Sequence, residues 1–292
     1  MKQEILLKKK NFFLKKIFSK KKNFENLKKL IVDLKIDYLI VDNYQVSSIT
    51  KKKIKFLVKK LITVDDRIDI KHYSDVLINN NYLNKSDLSK ININNYNTKK
   101  FLGPECNFNL ISNSIHKPSK TIRSFFIFFG MIDSENYTFK VLNLIKNIKD
   151  VKLVVVIGIF NKNKKKIFDN FKNFKHIKLY ENLNTKEIFK ELSKTDFSIG
   201  SGGVNLIERI HLGLPSVVIS KIKNQLNGLK NLKKKKLIIH KKLSDLDEKF
   251  FTDFLINDKN ASIFEIQKNC YNEALRLKDE KIKFIKEIKK VF

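Results

Sequence analysis

Tryptophan is absent, alanine occurs twice (Ala261, Ala274), and arginine four times (Arg67, Arg123, Arg209, Arg276). Glycine is held to 8 positions and proline to 3. So little of the last two excludes collagen-like and Gly/Pro-rich disordered chains. The 2 cysteines, Cys106 and Cys270, exclude a disulfide scaffold and lack metal-ligand spacing. No run of about 18 apolar residues exists, which argues against a transmembrane helix. The basic N-terminus lacks an unbroken apolar stretch and a small-residue cleavage site, so a signal peptide is not expected and the expected location is cytoplasmic.

What is present is apolar and basic. Of 292 residues, 42 % are hydrophobic, with 24 Phe and 8 Tyr. That suffices for a real core and excludes general disorder. Lysine plus arginine number 61 against 30 acidic residues, a formal charge of +31. Such a balance suggests nucleic acid or an anionic membrane. The composition favours another cause. Lys, Asn, Ile and Phe are inflated while residues with GC-rich codons are depleted, the mark of AT-rich coding. A specific nucleic-acid binder would be expected to keep arginine for bidentate contacts. Specific nucleic-acid binding is therefore not expected, only salt-sensitive adhesion to polyanions.

Residues 1–30 read as a basic helix. It would either lie weakly on an anionic membrane surface or, as we favour, pack on a sheet. From residue 36 strands alternate with helices. IDYLIVD (36–42) reads as a buried parallel strand, 48–60 as helix, LITVDD (61–66) and SDVLINN (74–80) as strands, and 81–100 as loop. FLGP (101–104) signals a turn, and SNSIHKPSK (112–120) reads as a linker. The alternation restarts with strands over 123–130, 151–158, 176–180, 196–200, 216–220 and 236–240. Helices over 136–148, to about 174, 185–194, 204–212 and 224–233 separate them, and further helices follow. The pattern predicts an α/β protein: a Rossmann-like domain over 1–118 and a second over 121–292, facing across a cleft.

The strongest local signal is DFSIGSGGVNLIERIHLGLPSVVIS, 196–220. Gly200, Gly202 and Gly203 allow a sharp turn and close approach of a ligand to the backbone. The helix start that follows suits a phosphate. Glu208 lies where a carboxylate can accept hydrogen bonds from ribose hydroxyls. Taken alone, GSGG also fits a ligand-free turn, with Glu208 on an ordinary helix surface.

The run GSGGVNLIER, HLGLP, KNQ resembles the nucleotide-binding segment of the UDP-sugar hydrolases of pseudaminic acid biosynthesis. Those are related to glycosyltransferases of spore-coat polysaccharide synthesis and to MurG-type enzymes. LIVDNY (39–44), ITVDDRIDIKHYSDVLINNN (62–81), FLGPECNFNLI (101–111) and SFFIFFGMIDSEN (124–136) resemble further family segments, in order. The resemblance implies a GT-B architecture and a UDP-sugar ligand without a metal or other cofactor. The nucleotide residues it implies are Gly130, Gly200, Ser201, Gly202, Gly203, Val204, Glu208, Asn224 and Gln225. Tyr44 would approach the sugar. The implied reaction releases UDP from a diacetamido-trideoxy sugar.

The chain departs from that pattern. It has no glycine before Gly103 and no histidine before His72. The family's G-x-G-H-x-x-R loop, with its catalytic histidine, has no counterpart, so the first domain reads as incomplete. Val204, Asn205 and Met131 also differ from the family residues. The readings left open are a truncated hydrolase whose missing segment a partner chain supplies, a decayed copy or non-catalytic binder, and a divergent glycosyltransferase with another base. Asp42, Asp65, Asp66 and Asp133 are carboxylates at strand ends; each reads first as a cap or turn residue.

Overall fold

The computed structural model describes residues 23–93, 97–108, 115–119, 121–219, 226–256 and 261–291. The chain forms two compact units, Met1–Gly103 and Pro104–Phe292. Residues 104–106 thus group with the second unit, where this short turn packs against the long C-terminal helix.

In the first unit α1 (Asn23–Asp33) precedes β1 (Tyr38–Val41), α2 (Ser48–Ile54) and β2 (Lys60–Val64). Short β3 (Lys71–His72), β4 (Val76–Asn79), α3 (Lys85–Lys90), short β5 (Asn92–Ile93) and β6 (Lys99–Leu102) follow. The main sheet is parallel, in the order β1-β2-β4-β6, and β3 pairs with β5. The apolar side of α1 packs on this sheet: Ile31 is buried with Val41, Ile54 and Leu61. The N-terminal part of the expected basic helix, 1–22, lies outside the described residues.

Two expectations need correction. β1 is parallel but not buried: Tyr38 and Ile40 are 41 % and 55 % exposed, because it is the edge strand of the described sheet. Residues 81–100 are not all loop. Asn84 caps α3 with a reciprocal box, its side chain accepting from the Asp87 N–H while Asp87 accepts from the Asn84 N–H. Lys99 and Lys100 open β6, in register with Val76 and Leu77 of β4.

The second unit alternates β7 (Ser124–Phe128), α4 (Tyr137–Ile145), β8 (Lys152–Ile157), α5 (Lys164–Phe171) and β9 (Ile177–Glu181). Then come α6 (Thr185–Leu192), β10 (Phe197–Gly200), α7 (Val204–His211), β11 (Ser216–Ile219), α8 (Leu226–Lys234) and β12 (Ile238–Lys241). A π-helical turn (Phe250–Ile256) and α9 (Ala261–Lys289) end it. All six strands are parallel, in the order β9-β8-β7-β10-β11-β12. The central strands are buried on both faces, as apolar runs flanked by helices demand. Phe126, Phe128, Val154 and Val156 form one core layer with Leu192, Leu212 and Leu214. On the opposite face Phe125 meets Phe197 edge-on at 6.1 Å.

The order reverses once. The chain runs outward from β7 to β9, then returns to lay β10 on the other side of β7. Loops leaving β7 and β10 diverge at this point, the position where doubly wound sheets take ligands.

Candidate functional site

Three glycines stand at the carboxyl ends of the adjacent strands β10, β7 and β8. Gly200 pairs with Phe128, and a Cβ at Gly200 would lie 2.2 Å from the Phe128 carbonyl oxygen. A Cβ at Gly158 would lie 2.4 Å from the Gly130 carbonyl oxygen. Gly130 itself has φ +91°, a conformation that favours glycine. The backbone is therefore drawn in closely at the switch point, and side chains are excluded from it.

β10 passes through Ser201 and Gly202 into α7, with Gly203 as N-cap. Among the described residues no side chain caps this end, and of its first N–H groups only that of Leu206 is used, by the Gly203 carbonyl at 2.8 Å. An uncapped helix start with a partial positive charge is suited to a phosphate.

Glu208 lies farther along the same helix and is 9 % exposed. The Asn205 amide donates to its Oε2 at 2.9 Å. Burial pushes the Glu208 carboxyl above its ordinary range, against that hydrogen bond and the nearby Arg209 charge. Asn205, which differs from the family's small hydroxyl residue, thus orients the carboxylate. Its own Oδ1 is buried and has no hydrogen-bond partner among the described residues.

Sequence reasoning missed Arg209. It is buried, and its guanidinium donates to the Ser201 carbonyl at 2.5 Å, the Ser198 hydroxyl at 3.3 Å and the Asn205 carbonyl at 3.2 Å. Burial lowers its pKa to about 9, which leaves it charged at neutral pH. Its place next to Glu208 in the ER pair was the available signal.

The loop after β7 carries Asp133, in the left-handed region at φ +45°. Its carboxylate accepts from the backbone N–H groups of Tyr137 at 2.8 Å and Thr138 at 3.0 Å. It is a cap of α4. Asn224 and Gln225 lie outside the described residues, and of Val204 only the backbone is described.

The other expected residues belong to the first unit, at the carboxyl ends of its strands. Asp42 is exposed. The Tyr44 hydroxyl donates to Asp66 at 2.7 Å, and Arg67 stands 5.1 Å from the Tyr44 ring centroid. Desolvation and the Asp66 carboxylate raise the Tyr44 pKa, so it is a hydrogen-bond donor and not a base at neutral pH. Asp65 is buried with Lys51 at 2.8 Å and takes a two-pronged contact from Arg67 at 2.9 and 2.7 Å. Burial opposes its ionisation, but these partners hold its pKa down to about 2. His72 is buried in β3, with Nε2 at 2.9 Å from the Arg67 carbonyl; burial lowers its pKa and keeps it neutral.

No group of His, Cys, Asp and Glu among the described residues could hold a metal ion. No described helix is long and apolar enough to cross a membrane.

No family model matches the chain. It is 27 % identical over 274 residues to the uncharacterized protein MJ1062 of Methanocaldococcus jannaschii, covering 87 % of this chain and 55 % of that one. It is 26 % identical over 204 residues to the spore coat polysaccharide biosynthesis protein SpsG of Bacillus subtilis, covering 65 % and 58 %. The chain thus spans little more than half the length of these curated relatives. Among solved structures it resembles Acinetobacter baumannii MurG, with a TM-score of 0.56 at 13 % identity over 96 % of this chain and 87 % of that one. It also resembles S. aureus MnaA solved with UDP, with a TM-score of 0.59 at 13 % identity over 96 % and 82 %. The fold is α/β with parallel sheets, the GT-B type seen in MurG.

Proposed function

We propose that the chain binds a UDP-sugar at the switch point of its six-stranded sheet and releases UDP from it to water, in surface-glycan synthesis. The observation that carries this is the turn itself. The strand-end glycines let the backbone pack closely at the switch point with open space beside Gly130, a helix start without a side-chain cap follows, and a buried, oriented carboxylate stands within the same helix. The diphosphate would lie on Gly202 and Gly203, with Gly130 beside it, and the ribose hydroxyls on Glu208. A carboxylate that accepts two hydroxyl hydrogen bonds in a desolvated site discriminates strongly against ligands lacking them. The solved neighbour that holds UDP and the relative named for spore-coat polysaccharide synthesis support this reading. The resemblance to pseudaminic acid hydrolases supports a diacetamido-trideoxy sugar.

A second reading is transfer to a sugar acceptor, or binding without turnover. Asp133 favours the latter: its carboxylate accepts from two backbone N–H groups, which ties it to the start of α4 and weakens it as a base for water and for an acceptor hydroxyl alike. Incubation with UDP-sugars decides. UDP released in water alone supports hydrolysis, and release only with an added acceptor supports transfer. Binding without release leaves a binder. No binding of any UDP compound by folded protein contradicts all three.

A further inference from the structure

We infer that Arg209 is a positioning residue for a phosphate group at the Gly200–Gly203 turn, holding the Ser201 carbonyl inward so that the Gly202 N–H is presented outward. The inference rests on the nucleotide reading of the same site and goes further, by assigning the recognition of the diphosphate to a buried arginine.

The argument begins with an imbalance. Arg209 is 1 % exposed, yet its acceptors are two carbonyls and a hydroxyl, all neutral. No carboxylate among the described residues forms an ion pair with it, and Glu208 acts only as a nearby charge. A buried cation with neutral partners alone is unfavourable, because the surroundings replace only part of its hydration. An anion bound on the turn above would compensate it, in a low-dielectric setting where the attraction is poorly screened.

Geometry supplies the second half. No cis peptide occurs among the described residues, so the C=O and N–H of the trans Ser201–Gly202 peptide point in opposite directions. The 2.5 Å bond from Arg209 Nη2 turns the carbonyl toward the guanidinium. The Gly202 N–H is thereby aimed away from it, and no hydrogen bond among the described residues uses that group. Gly200 makes room for this arrangement: a Cβ there would lie 3.0 Å from Arg209 Nη1. One side chain thus sets both the direction of a backbone donor and the charge behind it, the preorganisation that anion sites require.

The test compares wild type, Arg209→Gln and Arg209→Lys in full-length protein, at fixed moderate salt, with UDP and with uridine. Gln keeps a donor without the charge; Lys keeps the charge without the planar fork. We expect UDP to bind at least tenfold more weakly to Arg209→Gln and to an intermediate extent to Arg209→Lys. Uridine should bind all three within twofold. Parallel weakening of UDP and uridine would reduce Arg209 to a brace of the fold and overturn the inference, as would unchanged UDP binding. A readout free of variants covers the case in which neither folds: the Gly202 amide resonance of wild type should move on adding inorganic pyrophosphate and stay in place with uridine. A Gly202 resonance unmoved by pyrophosphate overturns the inference. Failure of wild type to bind UDP removes the nucleotide reading and this inference with it. UDP binding that ignores Arg209 removes only the inference.

Discussion

The buried charges show what single residues contribute. Asp65 and Lys51 are both 1 % exposed and neutralise each other, with Arg67 as a further partner. Removing Asp65 leaves the Lys51 charge buried and without its partner, which costs about 3–5 kcal/mol. We expect Asp65→Asn to lose stability of that order in urea unfolding. The pH dependence follows from the same group. The Asp65 pKa is depressed in the folded state, from 3.8 to about 2. Its contribution is therefore complete above the unfolded value and is lost as pH falls through the folded one. Between pH 5 and about pH 2 the wild type should lose more stability than Asp65→Asn, and equal slopes would contradict this account. At this scale the sequence was partly legible. Glycines in tandem after a strand mark Gly200–Gly203, and a carboxylate within the following helix marks Glu208. Arg209 was not legible, because its partners at Ser198 and Ser201 are set only once β10 and α7 have packed together.

Elements fix what the residues can do. At the end of β10 there is no room for a methyl group: the strand must accept the Phe128 carbonyl 2.2 Å from a Gly200 Cβ. Gly200→Ala should force β10 from β7, lowering the melting temperature sharply and abolishing nucleotide binding together. Asp133→Ala should act differently. It removes the cap of α4 and costs about 1–2 kcal/mol, and UDP binding by the folded fraction should be unchanged. A large loss of UDP release with unaltered stability would instead make Asp133 catalytic. The strands of the second unit were legible, because each is an apolar run flanked by helical periodicity. β6 was not: only Phe101 of its four residues is buried, and two lysines begin it. β1 was read as buried because its run is apolar throughout, whereas an edge strand leaves alternate residues open. Pairing partners decide that, and a single sequence does not display them.

The whole molecule is dominated by its charge of +31. Two kinds of anion binding should therefore coexist and respond differently to salt. Adhesion to RNA or anionic vesicles spreads over many lysines and should fall steeply as ionic strength rises. UDP held by backbone N–H groups and Glu208, with the Arg209 charge buried behind the turn, should weaken far less over the same range, and a common steep salt slope would assign both to surface lysine. The α/β class and the parallel order were legible from the alternation, and the doubly wound second unit places its candidate site at the strand-order reversal. The division after Gly103 was less legible, since the packing of residues 104–106 on α9 is a contact between distant segments.

The most direct test of the central claim is calorimetric titration of UDP into wild type and Glu208→Ala at moderate salt. The account predicts micromolar, salt-resistant binding that Glu208→Ala weakens by tenfold or more, about 1.4 kcal/mol. Equal binding by both proteins, or no salt-resistant binding by a folded wild type, would contradict it.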